Sequence, residues 1–305
     1  MQTDLSPDFT SQLDTPTPGK YAAGTSGAAV VAITSGKGGV GKTFFCANLA
    51  CALAKRGRRV LVIDADLGLA NLDVVLNLHP KVTLNDVLAG TATVQSAIGQ
   101  ALANTQMSFS VMLAGSGKAE FTQLTPMVRW RFSAVIDELR PDYDIILLDT
   151  GAGISEMVLF TVSLASEVLV VATPEPTSLT DAYSTIKVLV TEQQREHVQV
   201  VVNQTARVGD GRAITTQLQQ VLNQFVVTAP GQVMRLTHLG DIPADPQVRQ
   251  AVMRRQVMLH TTPASPASLA VLQIATKLDQ TVVAPNFKQM VPALHAAALI
   301  DGQRG

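Results

Sequence analysis

The run Gly36-Lys37-Gly38-Gly39-Val40-Gly41-Lys42-Thr43 places two glycines five positions apart and follows the second directly with lysine and threonine. That spacing is the phosphate-loop pattern. Gly36, Gly38, Gly39 and Gly41, with Val40 between them, let successive backbone N–H groups face a phosphate with little side chain in the way, and a helix opening at Lys42 turns its positive end to the same anion. Lys42 then reaches the β and γ phosphates, and Thr43 offers a hydroxyl to Mg²⁺. The chemistry implied is transfer or hydrolysis of a nucleoside triphosphate.

Two acidic segments fit the same chemistry. In Asp64-Ala65-Asp66-Leu67-Gly68-Leu69-Ala70-Asn71-Leu72-Asp73 the carboxylates stand where an apolar run ends, the end of a strand at which doubly wound folds bind ligands. Asp66 is the candidate to orient the attacking water. Asp64 is a candidate for Mg²⁺ or its water shell, and Gly68, Asn71 and Asp73 form a loop suited to sensing the γ phosphate; Asp73 is read equally well as a loop cap. The apolar run Ile145-Ile146-Leu147-Leu148 ends in Asp149 and continues through Gly151 and Gly153, so Asp149 is expected to hold Mg²⁺ through water while the two glycines allow the backbone close to the γ phosphate. Asn203, with the Ile242-Pro243-Ala244-Asp245 segment as an opposite wall, favours adenine over guanine, since Asn203-Gln204-Thr205-Ala206 offers no carboxylate to accept from guanine. ATP and Mg²⁺ are the expected ligands.

These groups need a scaffold that brings strand ends together. Continuous apolar runs at 28–34, 59–64, 110–114, 144–149, 167–173 and 198–203 alternate with amphipathic stretches near 42–56, 122–140, 154–166, 177–194 and 211–226. Repeated β-α units of this kind predict an α/β protein with a doubly wound, mostly parallel sheet and helices on both faces. A further strand is expected at 232–236, then helices near 245–256 and 264–280. Residues 1–27, rich in Pro, Gly, Ser and Thr, read as a flexible arm; 28–282 as one domain; and 283–305 as a tail, in which Phe287, Met290, Val291, Leu294 and Ile300 are loosely helical in spacing but interrupted by Pro292.

Composition narrows the function. Of 305 residues 47% are hydrophobic and 15% charged, with 23 basic against 24 acidic side chains, which supports a sizeable core and argues against a generally basic nucleic-acid binder. No apolar stretch of membrane-spanning length and no secretory leader is present, so a cytoplasmic location is expected. The five histidines show no metal-ligand spacing, and Cys46 and Cys51, five positions apart in one expected helix, suggest reduced, buried thiols.

Lys37, near the start of the phosphate loop, makes this motif resemble the deviant Walker A loop of the MinD/ParA family of ATPases. The Asp64–Asp73 segment, the Asp149 strand, Asn203 and the Ile242-Pro243 segment follow in that family's order. The resemblance implies slow ATP hydrolysis, an ATP-dependent homodimer, and Lys37 reaching the partner protomer's nucleotide as a catalytic charge. Within the family, the segments 66–73, 148–154 and Pro263-Ala264-Ser265-Pro266-Ala267 resemble the flagellar-number regulators (FlhG, also called FleN). That branch implies flagellar regulators and the GTPase FlhF as partners, although residues 1–27 lack the Asp-Gln-Ala-x-x-Leu-Arg motif through which many of its members activate FlhF. It also implies peripheral attachment to the inner face of an anionic membrane, for which the tail carries only Lys288 and Arg304 as basic groups. Asp181, at the start of the helix after Thr173-Pro174-Glu175-Pro176, falls where the family makes dimer and partner contacts. MinD-like division-site control and ParA-like DNA partitioning are the other roles the family implies. The second would draw on Arg249, Arg254 and Arg255, but the balanced charge makes DNA an unlikely partner.

Overall fold

The computed structural model describes residues 27–115, 123–207, 209–227 and 233–283. Most of the arm and of the tail read from the sequence lies outside these residues. Gly27 and Val283, at the two ends of the described range, are both buried.

Eight strands form one sheet in the order β3-β4-β2-β5-β1-β6-β7-β8. The strands are β1 (Ala29–Ser35), β2 (Val60–Asp64), β3 (Ile98–Ala101), β4 (Phe109–Met112), β5 (Ile145–Ala152), β6 (Glu167–Ala172), β7 (His197–Thr205) and β8 (Arg235–Pro243). All neighbours pair in parallel except β3 with β4. The helices are α1 (Lys42–Lys55), α2 (Leu72–Leu76), α3 (Leu84–Ala89), α4 (Pro126–Leu139), α5 (Glu156–Leu164), α6 (Pro176–Thr191), α7 (Asp210–Phe225), α8 (Pro246–Met253), α9 (Met258–Thr261) and α10 (Pro266–Leu278).

The strand sequences explain the layering. β1 reads AVVAITS and is buried at every position, as continuous apolar strands covered on both faces are. One face packs under α4, α5 and α6 in a cluster that includes Val30, Ile146, Phe132 and Phe160, with Phe132 and Phe160 edge to face at 6.0 Å. The opposite face packs under α1 and α10, around Val31, Leu147, Leu49 and Ile274. α1 is apolar on nearly every side and buries both Cys46 and Cys51, confirming inert thiols; burial pushes the Cys51 thiol up to about 12.

Four features depart from the expectation. β8 starts at Arg235 and runs through Pro243, so Gly240-Asp241-Ile242-Pro243 is strand and not loop. The helix expected over 245–256 stops at Met253, so Arg254 and Arg255 stand just past the end of α8, and α9 is a separate single turn beyond the expected span. α2 and α3 are new, each shorter than two turns. The sheet also gains an antiparallel edge, β3.

Candidate functional site

The phosphate loop joins the carboxyl end of β1, in the middle of the sheet, to α1. Ser35 Oγ donates to the Lys37 carbonyl at 2.7 Å and steadies the loop's entry. A cavity of about 610 Å³ opens over it, walled by the loop and Thr43, by Asp66, Gly68 and Asn71 after β2, and by Thr150 and Gly151 at the end of β5. Lys42, Thr43, Asp66, Gly68, Asn71 and Gly151 are thus brought together as the sequence suggests.

Charge is concentrated beneath this cavity. Lys42 is largely buried, and burial lowers its pKa while Asp149 and Asp66 pull it back up. Burial pushes the Asp149 carboxyl up to about 7, against a hydrogen bond from Thr43 and the Lys42 charge, with Asp66 adding to the rise. Among the described residues Asp149 Oδ1 has no hydrogen-bond partner although it is fully buried. A buried carboxylate oxygen without a donor, beside a threonine hydroxyl and under a cationic cradle, suits a divalent cation and the phosphates it bridges. Asp149, Thr43 and Lys42 therefore fit a magnesium nucleotide.

Asp64 differs from the expectation. Its Oδ1 accepts from Asp66 N at 3.3 Å and its Oδ2 from Leu72 N at 3.4 Å, and it does not line the cavity. Burial, with Asp149 adding to it, raises its pKa well above the carboxylate range. Its direct contacts shape the loop from Asp66 to Leu72. Asp66 itself accepts from Leu69 N at 3.1 Å through Oδ1, which aims its side chain along the cavity wall. Asp73 lies apart from the cavity and accepts from Val74 N at 2.8 Å, the local cap reading. Gly153 also stands outside the lining and donates its N–H to the Ser35 carbonyl at 2.8 Å, tying β5's exit to the base of the loop.

Asn203 is a strut in this structure. Its Nδ2 donates to the Val40 carbonyl at 2.8 Å and its Oδ1 accepts from Gln204 N at 2.9 Å. The amide expected to read a base thus holds the phosphate loop from β7. Ile242 is 4% exposed and packs in the core on the face of the sheet covered by α1 and α10, so its side chain forms no open wall. Pro243 ends β8, and Asp245 beyond it accepts from Gln247 N at 2.9 Å and Ala267 N at 3.1 Å, pinning the starts of α8 and α10 together.

Lys37 is turned away from its own cavity. Its Nζ donates to Glu175 Oε2 at 3.0 Å and Thr177 Oγ1 at 3.1 Å, at the start of α6. The same helix touches the loop directly: a Cβ on Gly36 would fall 2.1 Å from both the carbonyl carbon and the oxygen of Asp181. Asp181 is therefore set against the loop by its main chain. Glu175 was not singled out from the sequence, yet it stands between Pro174 and Pro176 at the N-cap of α6, where proline at the first helical position marks the helix start.

A glycine-rich turn between a central parallel strand and a helix, carrying a buried lysine and a half-buried threonine with an aspartate in the carboxyl half of the adjacent strand, defines a P-loop nucleotide-binding protein. A ParA family model, described as NUBPL iron-transfer P-loop NTPase, matches residues 27–279. The chain belongs to the ParA family of P-loop NTPases. It is 38% identical to the antiactivator FleN of Pseudomonas aeruginosa over 257 residues, 84% of this chain and 88% of that protein. It is 32% identical to the flagellum site-determining protein YlxH of Helicobacter pylori over 250 residues, 80% of each chain. Among solved structures it resembles the septum site-determining protein MinD of Pyrococcus horikoshii complexed with Mg-ADP, with a TM-score of 0.65 at 27% identity over 83% of this chain and 96% of that one. No described helix is long and apolar enough to cross a membrane.

Proposed function

We propose that this protein is an ATP-dependent switch that dimerises face to face on ATP, hydrolyses it slowly and regulates flagellar number or placement. The observation that carries the reading is Lys37, the one cation of the phosphate loop that faces out of its own cavity and is bound to α6. A lysine in that position is free to exchange Glu175 for the phosphates of a second protomer, where it acts as a positive charge supplied in trans. The mouth of the cavity supports the same reading: Leu69 and Val252 line it and are 76% and 47% exposed, an apolar rim suited to burial against another copy.

Within one protomer the backbone N–H groups from Gly38 to Thr43 and the Lys42 ammonium hold the β and γ phosphates. Thr43 and Asp149 hold Mg²⁺, which when bound offsets charge on the phosphate oxygens. Asp66 orients a water for in-line attack on the γ phosphorus; the bond to the β-phosphate oxygen breaks, leaving ADP and inorganic phosphate. Loss of the γ phosphate removes the contacts that favour the dimer, so hydrolysis resets the switch through differential affinity. The flagellar assignment rests on the likeness to FleN and YlxH. FlhF, flagellar regulators and an anionic membrane surface are the partners it suggests.

Light scattering with ADP and with a non-hydrolysable ATP analogue tests the switch. Dimer is expected with the analogue alone, with Lys37→Ala and Leu69→Glu remaining monomeric while retaining nucleotide. A wild-type protein that stays monomeric with the analogue bound removes the switch from consideration. Altered flagellar counts in a deletion strain, restored by wild type and not by Lys37→Ala, test the biological role.

A further inference from the structure

The outer face of α4 carries a stripe that the core does not use. Val128, Phe132, Val135 and Ile136 are buried against the sheet, whereas Met127 and Trp130 are 50% and 55% exposed. Three residues apart on a helix, these two side chains are neighbours on one face. The same face continues through Ala134 to the exposed Asp137 and Glu138. Trp130 is the chain's single tryptophan, and an exposed tryptophan beside an exposed methionine marks a contact surface. Neither residue lines the nucleotide cavity.

Where the chain joins the fold says what covers this stripe. Gly27 is wedged against the end of α4: its φ is +114°, and a Cβ there would fall 3.0 Å from Arg140 Cβ. Ala28 N–H then donates to the Arg140 carbonyl at 2.9 Å, and Arg140 Nε donates to the Ala28 carbonyl at 3.3 Å. Residues 1–26 are thus tethered to the end of this one helix. Trp130 stands about 15 Å back along the axis from Arg140, and the segment from Leu13 to Gly27 spans up to about 46 Å when extended. The tether reaches the stripe with slack.

The arm matches the stripe in apolar content and in charge order. Leu5, Phe9 and Leu13 recur at every fourth position, which places them on one face of a helix. Ser6-Pro7-Asp8 is a helix start, with a cap, a proline at the first position and an acid in the first turn. Along the arm Asp8 and Asp14 come first and Lys20, its one basic residue, comes last. Along α4 the signs are opposite: Arg129 and Arg131 come first, then Asp137 and Glu138. We infer that residues 5–13 dock on the Met127–Trp130 face of α4 as an intramolecular clasp, parallel to the helix, with Lys20 beside Asp137 and Glu138. A tethered segment acts at an effective concentration of about a millimolar, so a small apolar contact is enough to hold it. Arg129 also pairs with Glu156 in the first turn of α5, and the next residues of α5, Met157 and Val158, line the nucleotide cavity. The clasp therefore lies one helix away from the nucleotide.

The test is acrylamide quenching of Trp130 fluorescence in the full chain with Mg-ADP bound, at several protein concentrations. Phe9→Ser combined with Leu13→Ser removes the apolar area that docking buries, and should raise the quenching constant about twofold and shift the emission to the red. Lys20→Glu and Glu138→Lys should each do the same in part, and the two together should restore the wild-type value, as coupled neighbours do. Mg-ADP affinity within about twofold of wild type shows that the domain is intact in each variant. Quenching that the Phe9 and Leu13 substitutions leave unchanged overturns the clasp. So does a pair of charge reversals whose effects add instead of cancelling. Shielding of Trp130 that grows with protein concentration overturns it as well, by assigning the face to a second copy of the chain.

Discussion

Asp149 is asked to be buried and to be ionised, and the two demands oppose each other. Burial raises its pKa to about 7, whereas an unfolded aspartate titrates near 3.9. Between those values the folded state binds more protons than the unfolded one, so stability falls as pH rises through the window from about 4 to about 7. Asp64, also raised by burial, acts in the same direction. A cation held at Asp149 reverses the penalty, because it stabilises the charged form. The Mg²⁺-dependent gain in melting temperature with ADP should therefore be full above about pH 7 and decline below it, apparent Mg²⁺ affinity dropping about tenfold per pH unit. Asp149→Asn should raise the melting temperature of the nucleotide-free protein near neutral pH and abolish the Mg²⁺ response. Thermal melts from about pH 5.5 to 8.5 check this, and a Mg²⁺ response that is flat with pH would count against it. At this scale the sequence is informative wherever chemistry is local: the phosphate loop and the Asp149 strand end are written in adjacent letters. It is silent on Asn203 and Val40, which meet 163 positions apart, and on Glu175 and Lys37, 138 apart, because such pairings exist only once the sheet has formed.

Between elements, the tightest main-chain constraint is Gly36 against α6. Adding a methyl group there places an atom 2.1 Å from the Asp181 main chain, and backbone cannot step aside as a flexible side chain can. Gly36→Ala should destabilise the fold by about 3 kcal/mol, the upper part of the range for overpacking, and should also loosen Lys37 from Glu175 and Thr177. Urea unfolding gives the first effect and Mg-ADP affinity the second; a variant of native stability would mean that α6 moves freely on the loop. The central strands were legible as continuous apolar runs, since burial on both faces leaves no polar interruption. β8 was cut short because Gly240, Asp241 and Pro243 are turn residues elsewhere, and here they end a bulged edge strand. β3, with the letters IGQA and two exposed positions, and the short α2 and α3 carry too few residues for any period to show.

For the molecule as a whole, fold class and site position followed from the alternation of runs, because parallel strands need crossover helices and ligands collect at the strands' carboxyl ends. The antiparallel edge did not follow, since it depends on what borders an outer strand. Strand order has one more consequence, for synthesis. β1 carries the phosphate loop, yet both of its sheet neighbours, β5 and β6, are encoded far downstream; Thr150 Oγ1, for example, donates to the Ile33 carbonyl across 117 positions. At about 5–20 residues per second on the ribosome, an apolar, aggregation-prone strand waits several seconds unpaired before its partners emerge. Ribosome-stalled chains ending before Ile145 should be protease-sensitive around β1 and unable to retain nucleotide, and those released beyond α10 protected. Protection of β1 in the shorter chains would show that the loop matures without its neighbours. A cell making this protein must shelter its most chemically important strand for more than a third of the time that the chain takes to be born.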